Sequence, residues 1–181
     1  MCVIDVVGIP IMTISCLIKD DQYALLLAVP DRFAAVTEAA TRSTFFRDGM
    51  SPEQLASTRR IVEISGATAV AAAGNSHQLL SVAFVDGRLA GFVICTRHHD
   101  IGHELDWLMV HPDFHGTDVA AALMKHGMGW LGLDLPMWLT VIAYNERAQR
   151  FYRRFGFEVD HHTPMVHVVP HVIMRRPGGQ G

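Results

Sequence analysis

The chain has 181 residues, half of them hydrophobic, and a formal net charge of −3 at pH 7. This length and apolar content suit one compact core, and we predict a single domain over residues 1–181. The weakly acidic charge gives no electrostatic footprint for nucleic acid, and no apolar run reaches the roughly eighteen residues that a membrane span needs. We therefore predict neither a nucleic-acid partner nor a membrane partner.

The first nineteen residues are apolar but interrupted by Asp5 and Pro10, and no basic segment precedes them. This pattern disfavours a signal peptide. Three widely spaced cysteines argue against a disulfide framework and for the reducing cytoplasm. We expect residues 1–11 to form a loose extension, with Met12 as an alternative start, and residues 177–181 to form a disordered tail.

Residues 12–64 predict a strand and two helices. The strand covers residues 12–19, and the first helix runs from Asp31 to the turn at 48–49, with apolar residues at helical spacing. The second helix starts with Ser51 as N-cap, Pro52 at the first helical position and Gln54 closing a capping box, and it extends to residue 64. Residues 65–76 are rich in small side chains and fit either a short helix or a loop.

The clearest hairpin of the chain joins the apolar segments 79–85 and 89–95 through Asp86-Gly87, a pair that tight primed turns prefer. After it, the strand 105–110 ends at Pro112, because proline has no amide hydrogen for the ladder. A polar loop, 115–118, then leads into a helix that continues to residue 130 or 131. Free amide hydrogens and the helix dipole at this N-terminus favour an anion.

The C-terminal part predicts a strand over 137–144, then a helix over 146–155 with Asn145 as its N-cap. Two closing strands follow over 157–162 and 166–174. Together the elements predict an α+β domain with helices on both faces of a mixed, mostly antiparallel sheet of six to seven strands, an α/β three-layer arrangement.

Three features in residues 104–159 resemble the GNAT superfamily of acyl-CoA-dependent N-acyltransferases. The first is the stretch LMVHPDFHGTDVA, which is similar to the family's V-x-P strand followed by its pyrophosphate signature (Q/R)-x-x-G-x-(G/A). The second is Asn145 followed seven residues later by Tyr152, and the third is Phe155-Gly156-Phe157 at the end of that helix. These motifs occur in the family's order and spacing.

The resemblance implies that acetyl-CoA is the co-substrate. The strand Leu108–Val110 would hydrogen-bond the pantetheine arm and splay from the next strand to open a V. The following loop would hold the pyrophosphate, and Asn145 and Tyr152 would also contact the cofactor. The cofactor-binding residues implied in this way are Leu108, Met109, Val110, His115, Gly116, Thr117, Asp118, Val119, Ala120, Ala121, Asn145 and Tyr152.

Two positions depart from the family signature. His115 stands where Gln or Arg is usual, and an imidazole can still donate one hydrogen bond to phosphate. Asp118 replaces a glycine, adding bulk and a like charge near the phosphates. As an alternative, Asp118 turns away from the ligand and satisfies a local amide at the helix N-terminus.

The resemblance implies direct transfer of an acetyl group to a primary amine, on a small molecule or a peptide, through a tetrahedral intermediate. Tyr152 would be the general acid. Glu104 is the first choice for the general base, with Asp106 second and ordered water as an alternative; the two carboxylates share a face if the strand is regular. A backbone amide near Met109 or Val110 would take the oxyanion.

Eleven histidines invite a metal site, but no HExxH or Cys-His pattern accompanies them, and we predict no metal. The histidines at 161–171 are expected near the acceptor. The competing function is a catalytically silent acyl-CoA-binding or sensing domain, suggested by Asp118. Relatives of this kind also lead us to expect a homodimer.

Overall fold

A computed structural model describes residues 15–17, 27–42, 44–165 and 167–179. Our predictions for residues 1–11, for most of the strand at 12–19 and for the last two residues of the tail lie outside the described residues. Residues 177–179 of the tail adopt no regular secondary structure. None of the helices in the described ranges is long and apolar enough to cross a membrane.

In the part of the chain that the structure describes, seven strands form one sheet and four α-helices flank it. A short 3₁₀ turn, Pro112–Phe114, follows the fourth strand. In chain order the elements are β1 (Ser15–Leu17), α1 (Asp31–Arg42), α2 (Pro52–Gly74), β2 (Gln78–Val85), β3 (Arg88–Thr96), β4 (His103–Val110), α3 (Val119–Leu131), β5 (Met137–Ile142), α4 (Glu146–Arg153), β6 (Glu158–Val159) and β7 (His171–Arg176).

The strand order is β1-β2-β3-β4-β5-β7-β6, and every neighbouring pair is antiparallel except β4 and β5. Helix α3 connects these two parallel strands, as a parallel connection requires. The predicted α+β class and mixed, mostly antiparallel sheet are therefore confirmed.

The sheet divides the core into two clusters, one on each face. One cluster joins β2–β5 to α3, and its fully buried members include Leu123, Met124 and Phe157. The other joins β2 and β3 to α1 and α2 and centres on Phe33 and Phe92, whose rings meet edge to face at 5.2 Å. This gives the predicted three-layer arrangement, helices–sheet–helices.

Helix α2 confirms its predicted start but extends well beyond residue 64. The Ser51 side chain accepts from the Gln54 amide, and the Gln54 side chain accepts from the Ser51 amide, which completes the capping box. The segment 65–76 is mostly the C-terminal part of this helix. Gly66 allows the close contact that fixes it, because a Cβ there would lie 2.6 Å from the Pro30 carbonyl oxygen. The end predicted at residue 64 is therefore wrong.

Helix α1 is shorter than predicted and ends at Arg42. Thr37, Thr41 and Thr44 each donate a hydroxyl hydrogen bond to the carbonyl four residues earlier, a pattern that weakens and bends helices. Phe45 lies beyond the helix end, although its amide still donates to the Thr41 carbonyl at 2.8 Å.

The closing strands are also shorter than predicted, at 158–159 and 171–176. Strand β6 ends where the Asp160 carboxylate accepts from the amides of His162 and Thr163 and turns the chain. In contrast, the hairpin turn is confirmed, because Asp86 and Gly87 both have positive φ, 49° and 75°.

Candidate active site

Strands β4 and β5 pair over only two residue pairs, His103 with Met137 and Glu104 with Trp138. Beyond these pairs the strands diverge, and a cavity of about 790 Å³ lies between them. Leu108, Met109 and Val110 line one side of it, and residues 140–142 of β5 line the other. We call the gap between the diverging strands the slit. The unpaired edges of the two strands leave backbone N–H and C=O groups along the slit, where an extended ligand would fit.

A β-bulge lies in β4 next to the slit. Ile94 of β3 pairs with Trp107, but the next residue, Cys95, pairs with Leu105, so Asp106 is the extra residue. A bulge re-aims a side chain and breaks the two-residue periodicity. We expected Glu104 and Asp106 to share one face of β4, which holds only for a regular strand. The bulge makes β4 irregular here, so this expectation does not apply. Asp106 lines the cavity, whereas Glu104 does not.

The two carboxylates also differ electrostatically. Burial, followed by the nearby Glu104 charge, raises the pKa of Asp106 to about 7. Burial raises the pKa of Glu104 as well, but His98, whose Nε2 lies 2.9 Å from Glu104 Oε2, opposes that shift. Asp106 can therefore exchange a proton near neutral pH, while the Glu104 carboxylate is hydrogen-bonded to His98.

Tyr152 lies on α4 and lines the same cavity. Asn145 caps this helix by accepting from the Ala148 amide at 3.1 Å, as predicted. The Tyr152 ring packs against Phe151 and Phe157, and its hydroxyl makes no hydrogen bond to any residue of the described ranges. Burial raises the pKa of Tyr152 to about 12, so the phenol is protonated at neutral pH and available as a donor.

The loop before α3 presents a group of unpaired amides. Gly116 has φ of +82°, a left-handed conformation that favours glycine. Within the described chain, the N–H groups of Gly116, Asp118, Ala120 and Ala121 donate to no acceptor. All four residues line the cavity, at a helix N-terminus. Such a cluster of amides fits a phosphate-like anion, as the sequence predicts.

His115 makes two contacts that the sequence does not predict. Arg147 Nη1 lies 3.0 Å from His115 Nδ1, and His115 Nε2 lies 3.2 Å from the Val110 carbonyl oxygen. Because Arg147 can only donate, Nδ1 accepts and Nε2–H donates to Val110. Both ring nitrogens are occupied within the protein, so the expected donation from His115 to phosphate is wrong for this arrangement. Arg147 places the cation beside the loop instead.

Asp118 is exposed and makes no capping hydrogen bond. The Val119 amide is satisfied by Thr117 Oγ1 at 3.4 Å instead. The interpretation that Asp118 satisfies a local amide is therefore wrong. Asp118 nevertheless lines the cavity, beside the residues whose amides are free.

Most residues predicted for the site meet in this one cavity. The predicted residues that line it are Asp106, Leu108, Met109, Val110, His115, Gly116, Thr117, Asp118, Ala120, Ala121, Asn145 and Tyr152. Val119 does not line the cavity, because its side chain is fully buried in the core below the loop, which corrects our inclusion of it. Glu104 stands outside as described.

Three arginines that were not among the predicted site residues also line the cavity, namely Arg147, Arg150 and Arg154. Their spacing of three and seven residues puts them on one face of α4 and its C-terminal extension, a signal available in the sequence. Among the histidines, only His115 and His171 line the cavity. Within the described ranges, no group of three His, Cys, Asp or Glu side chains is arranged to hold a metal ion.

Comparison with known proteins shows which proteins this chain is similar to. Residues 76–159 match the family model of the acetyltransferase (GNAT) domain. Over 78 residues the chain is 42% identical to uncharacterized N-acetyltransferases of Mycobacterium tuberculosis and Mycobacterium bovis, a match covering 41% of this chain and 49% of each relative. The match thus spans about half the length of these curated relatives.

Solved structures share the fold over nearly the whole chain. The PaiA N-acetyltransferase from Thermoplasma acidophilum, crystallised with coenzyme A, superposes with a TM-score of 0.72 at 17% identity, covering 92% of this chain and 99% of that one. A histone acetyltransferase HPA2 and related acetyltransferase from Corynebacterium glutamicum gives a TM-score of 0.64 at 18% identity, covering 94% and 99%. At these identities the likeness shows the fold.

Proposed function

Because residues 76–159 match the family model of the GNAT acetyltransferase domain, we propose that the chain moves an acetyl group from acetyl-CoA to a primary amine. The observation that carries this proposal is the continuity of one cavity. It joins the free amides of the loop at 116–121, the slit between β4 and β5, and the side chains of Asp106 and Tyr152. A phosphate-binding end, a channel for an extended arm and an acid–base pair are what acyl transfer from CoA requires.

The residues present fit coenzyme A. The amides of Gly116, Asp118, Ala120 and Ala121 would hold the pyrophosphate, with the Arg147 guanidinium beside them. The backbone of Leu108–Val110 would hydrogen-bond the pantetheine arm in the slit. Asn145 would contact this arm in addition to capping α4. The positive charges of α4 would offset the unfavourable Asp118 carboxylate.

In the proposed mechanism Asp106 accepts the proton that the substrate ammonium must lose, directly or through one water. We assign this role to Asp106 rather than to Glu104, our first choice from sequence, because Asp106 reaches the cavity. Glu104 then acts on Asp106 through its charge. The released amine attacks the thioester carbonyl, forming the N–C bond, and a backbone amide near Met109 or Val110 would stabilise the oxyanion.

Collapse of this adduct breaks the C–S bond, and Tyr152 donates its hydroxyl proton to the departing thiolate. The phenolate then recovers a proton from the nitrogen of the adduct, which becomes the neutral amide, and Asp106 releases its proton to solvent. A phenol that is buried and free of other hydrogen bonds suits this task, because its hydrogen has no competing acceptor in the described chain. Asp106 and Tyr152 thus divide base and acid chemistry between them.

The alternative function is an acyl-CoA sensor without turnover, and the uncapped, cavity-lining Asp118 is the observation that favours it. Titration calorimetry with acetyl-CoA, followed by thiol release with a panel of primary amines, separates the two. We expect binding and amine-dependent release of free CoA. Binding without turnover on any amine would support the sensor, and the absence of binding would exclude both functions.

We further propose that the reaction takes place in the cytoplasm. The buried, unpaired thiol of Cys95 is consistent with a reducing compartment. The expected homodimer stays a prediction.

A further inference from the structure

The cavity continues through the slit to the sheet face that α1 and α2 cover. We call this part the acceptor chamber, and the side chains that line it are Thr44, Phe45, Ile61, Trp107, Met109 and His171. Trp107 and Met109 pack against the core cluster of α1 and α2. His171 alternates along β7 with Val172, which packs on the opposite face. The chamber thus lies across the sheet from the loop at 116–121.

Apolar and aromatic groups dominate the walls of the chamber. Phe45 is fixed there by the Tyr144 hydroxyl, which donates to the Phe45 carbonyl at 2.9 Å. Ile61 of α2 and Met109 of β4 supply aliphatic surface, and Trp107 supplies a second aromatic side chain. Such walls favour a ligand with an apolar body, since burial of apolar area is the main gain available.

None of the six side chains that line the acceptor chamber carries a fixed charge. His171 is the titratable member, and burial lowers its pKa, so its ring is neutral at pH 7. Its Nδ1 lies 2.6 Å from the Val169 carbonyl oxygen and donates to it. Asp106, at the slit, is the carboxylate next to the chamber. On the other face of the sheet, Arg147 of α4 contacts His115, and Arg154 packs over the Phe151 ring.

Building on the proposed function, we propose that the acceptor is a monoamine with an aromatic body and no second charged group. Asp106 receives its single ammonium, and Phe45, Ile61 and Trp107 cover its ring. A second ammonium, as in a polyamine, would be desolvated in the chamber without a carboxylate partner. A carboxylate, as in an amino acid, would be desolvated without a cation.

The test measures acetyl-CoA-dependent thiol release by the full chain with three probes, 2-phenylethylamine, L-phenylalanine and spermidine. We expect kcat/KM for 2-phenylethylamine to exceed the values for the other two by about tenfold or more, because each of those carries an uncompensated charge. Ile61→Glu should raise the rate with spermidine relative to 2-phenylethylamine. The matched variant Ile61→Gln has the same length without the charge and should not.

The outcomes separate the two proposals. Equal or faster turnover of spermidine or L-phenylalanine overturns the acceptor class and leaves the transferase intact. Binding of acetyl-CoA with turnover of none of the three probes also overturns the acceptor class. The same shift in preference with Ile61→Gln as with Ile61→Glu counts against the charge argument. A protein that neither binds acetyl-CoA nor releases thiol with any amine overturns the proposed function itself.

Discussion

The Arg147 guanidinium lies 3.0 Å from His115 Nδ1, although 32 residues separate the two in the chain. This contact fixes the neutral tautomer of His115, and burial followed by the Arg147 charge lowers the pKa of the imidazole. The pair joins α4 to the loop before α3. Arg147 of α4 thereby places a positive charge beside the proposed phosphate-binding loop, which itself carries the negative charge of Asp118.

Arg147→Ala should weaken CoA binding about tenfold, because a hydrogen bond from a charged donor contributes roughly 1.5 kcal/mol. The difference should shrink at high ionic strength, since Arg147 is exposed and its charge is screened. Calorimetry at two salt concentrations measures both effects. Arg153→Ala is the matched control: it removes the same charge from the same helix, outside the cavity lining. Equal losses in both variants would rule out a specific role for Arg147.

Tyr152→Phe should lower kcat about a hundredfold and leave the Kd for acetyl-CoA nearly unchanged, because the hydroxyl acts only as the thiolate leaves. The unfolding midpoint should stay nearly unchanged, since the hydroxyl makes no hydrogen bond to a described residue that its removal would break. Steady-state kinetics and thermal unfolding check these outcomes. An unchanged kcat would show that another group protonates the thiolate.

Asp106 should control the acidic limb of the pH profile. Burial raises its pKa to about 7, and only the deprotonated form can accept a proton, so kcat/KM should rise with pH through about 7 and then level. Asp106→Asn should abolish this limb and lower the plateau about a hundredfold. Survival of the limb in Asp106→Asn would assign the base to another group.

Glu104→Gln provides the matched comparison for the same profile. The Glu104 charge contributes to the raised pKa of Asp106, so its removal should move the limb toward lower pH while keeping its shape. If Glu104 is itself the base, the limb should disappear instead of moving. A limb that moves to lower pH in Glu104→Gln therefore indicates Asp106 as the base, and a limb that disappears indicates Glu104.

Asp118→Asn should tighten binding of acetyl-CoA by about two- to fivefold at low salt, because an exposed like charge near the phosphates costs up to about 1 kcal/mol. Asp86→Asn removes the same charge at the hairpin turn, outside the cavity lining, and should leave the Kd unchanged. Calorimetry on the two variants gives the comparison. Weaker binding by Asp118→Asn would mean that the carboxylate assists the ligand.

Gly127 sets the distance between α3 and β3. A Cβ at this position would lie 2.7 Å from Cys95 Sγ, so Gly127→Ala should destabilise the fold by about 1–3 kcal/mol through overpacking. Adding Cys95→Ala should recover much of this loss. Urea unfolding measures both changes in the free energy of unfolding.

Gly129→Ala is the control on the same helix. Nothing lies within 4 Å of a Cβ at Gly129, so the substitution should stabilise α3 by about 0.5–1 kcal/mol through helix propensity. Equal effects of the two glycine substitutions would contradict the packing argument for Gly127.

The sequence by itself determined the features that depend on neighbouring residues. The Asp86-Gly87 turn, the Ser51 capping box and the Asn145 cap form as predicted because their hydrogen bonds and φ angles involve residues close in the chain. The order of the elements, the mixed sheet, and the positions of the loop at 115–118 and of Tyr152 were also predicted, because the spacing of the motifs indicates them.

The tertiary structure alone decided which side chains meet. The bulge at Asp106 arises from the register between β3 and β4, so no local pattern could show that Asp106, and not Glu104, reaches the cavity. The contact between Arg147 and His115 depends on the packing of α4 beside α3, and the extension of α2 depends on Gly66 meeting Pro30. Contacts between distant segments depend on how strands align and helices pack, which local spacing does not encode.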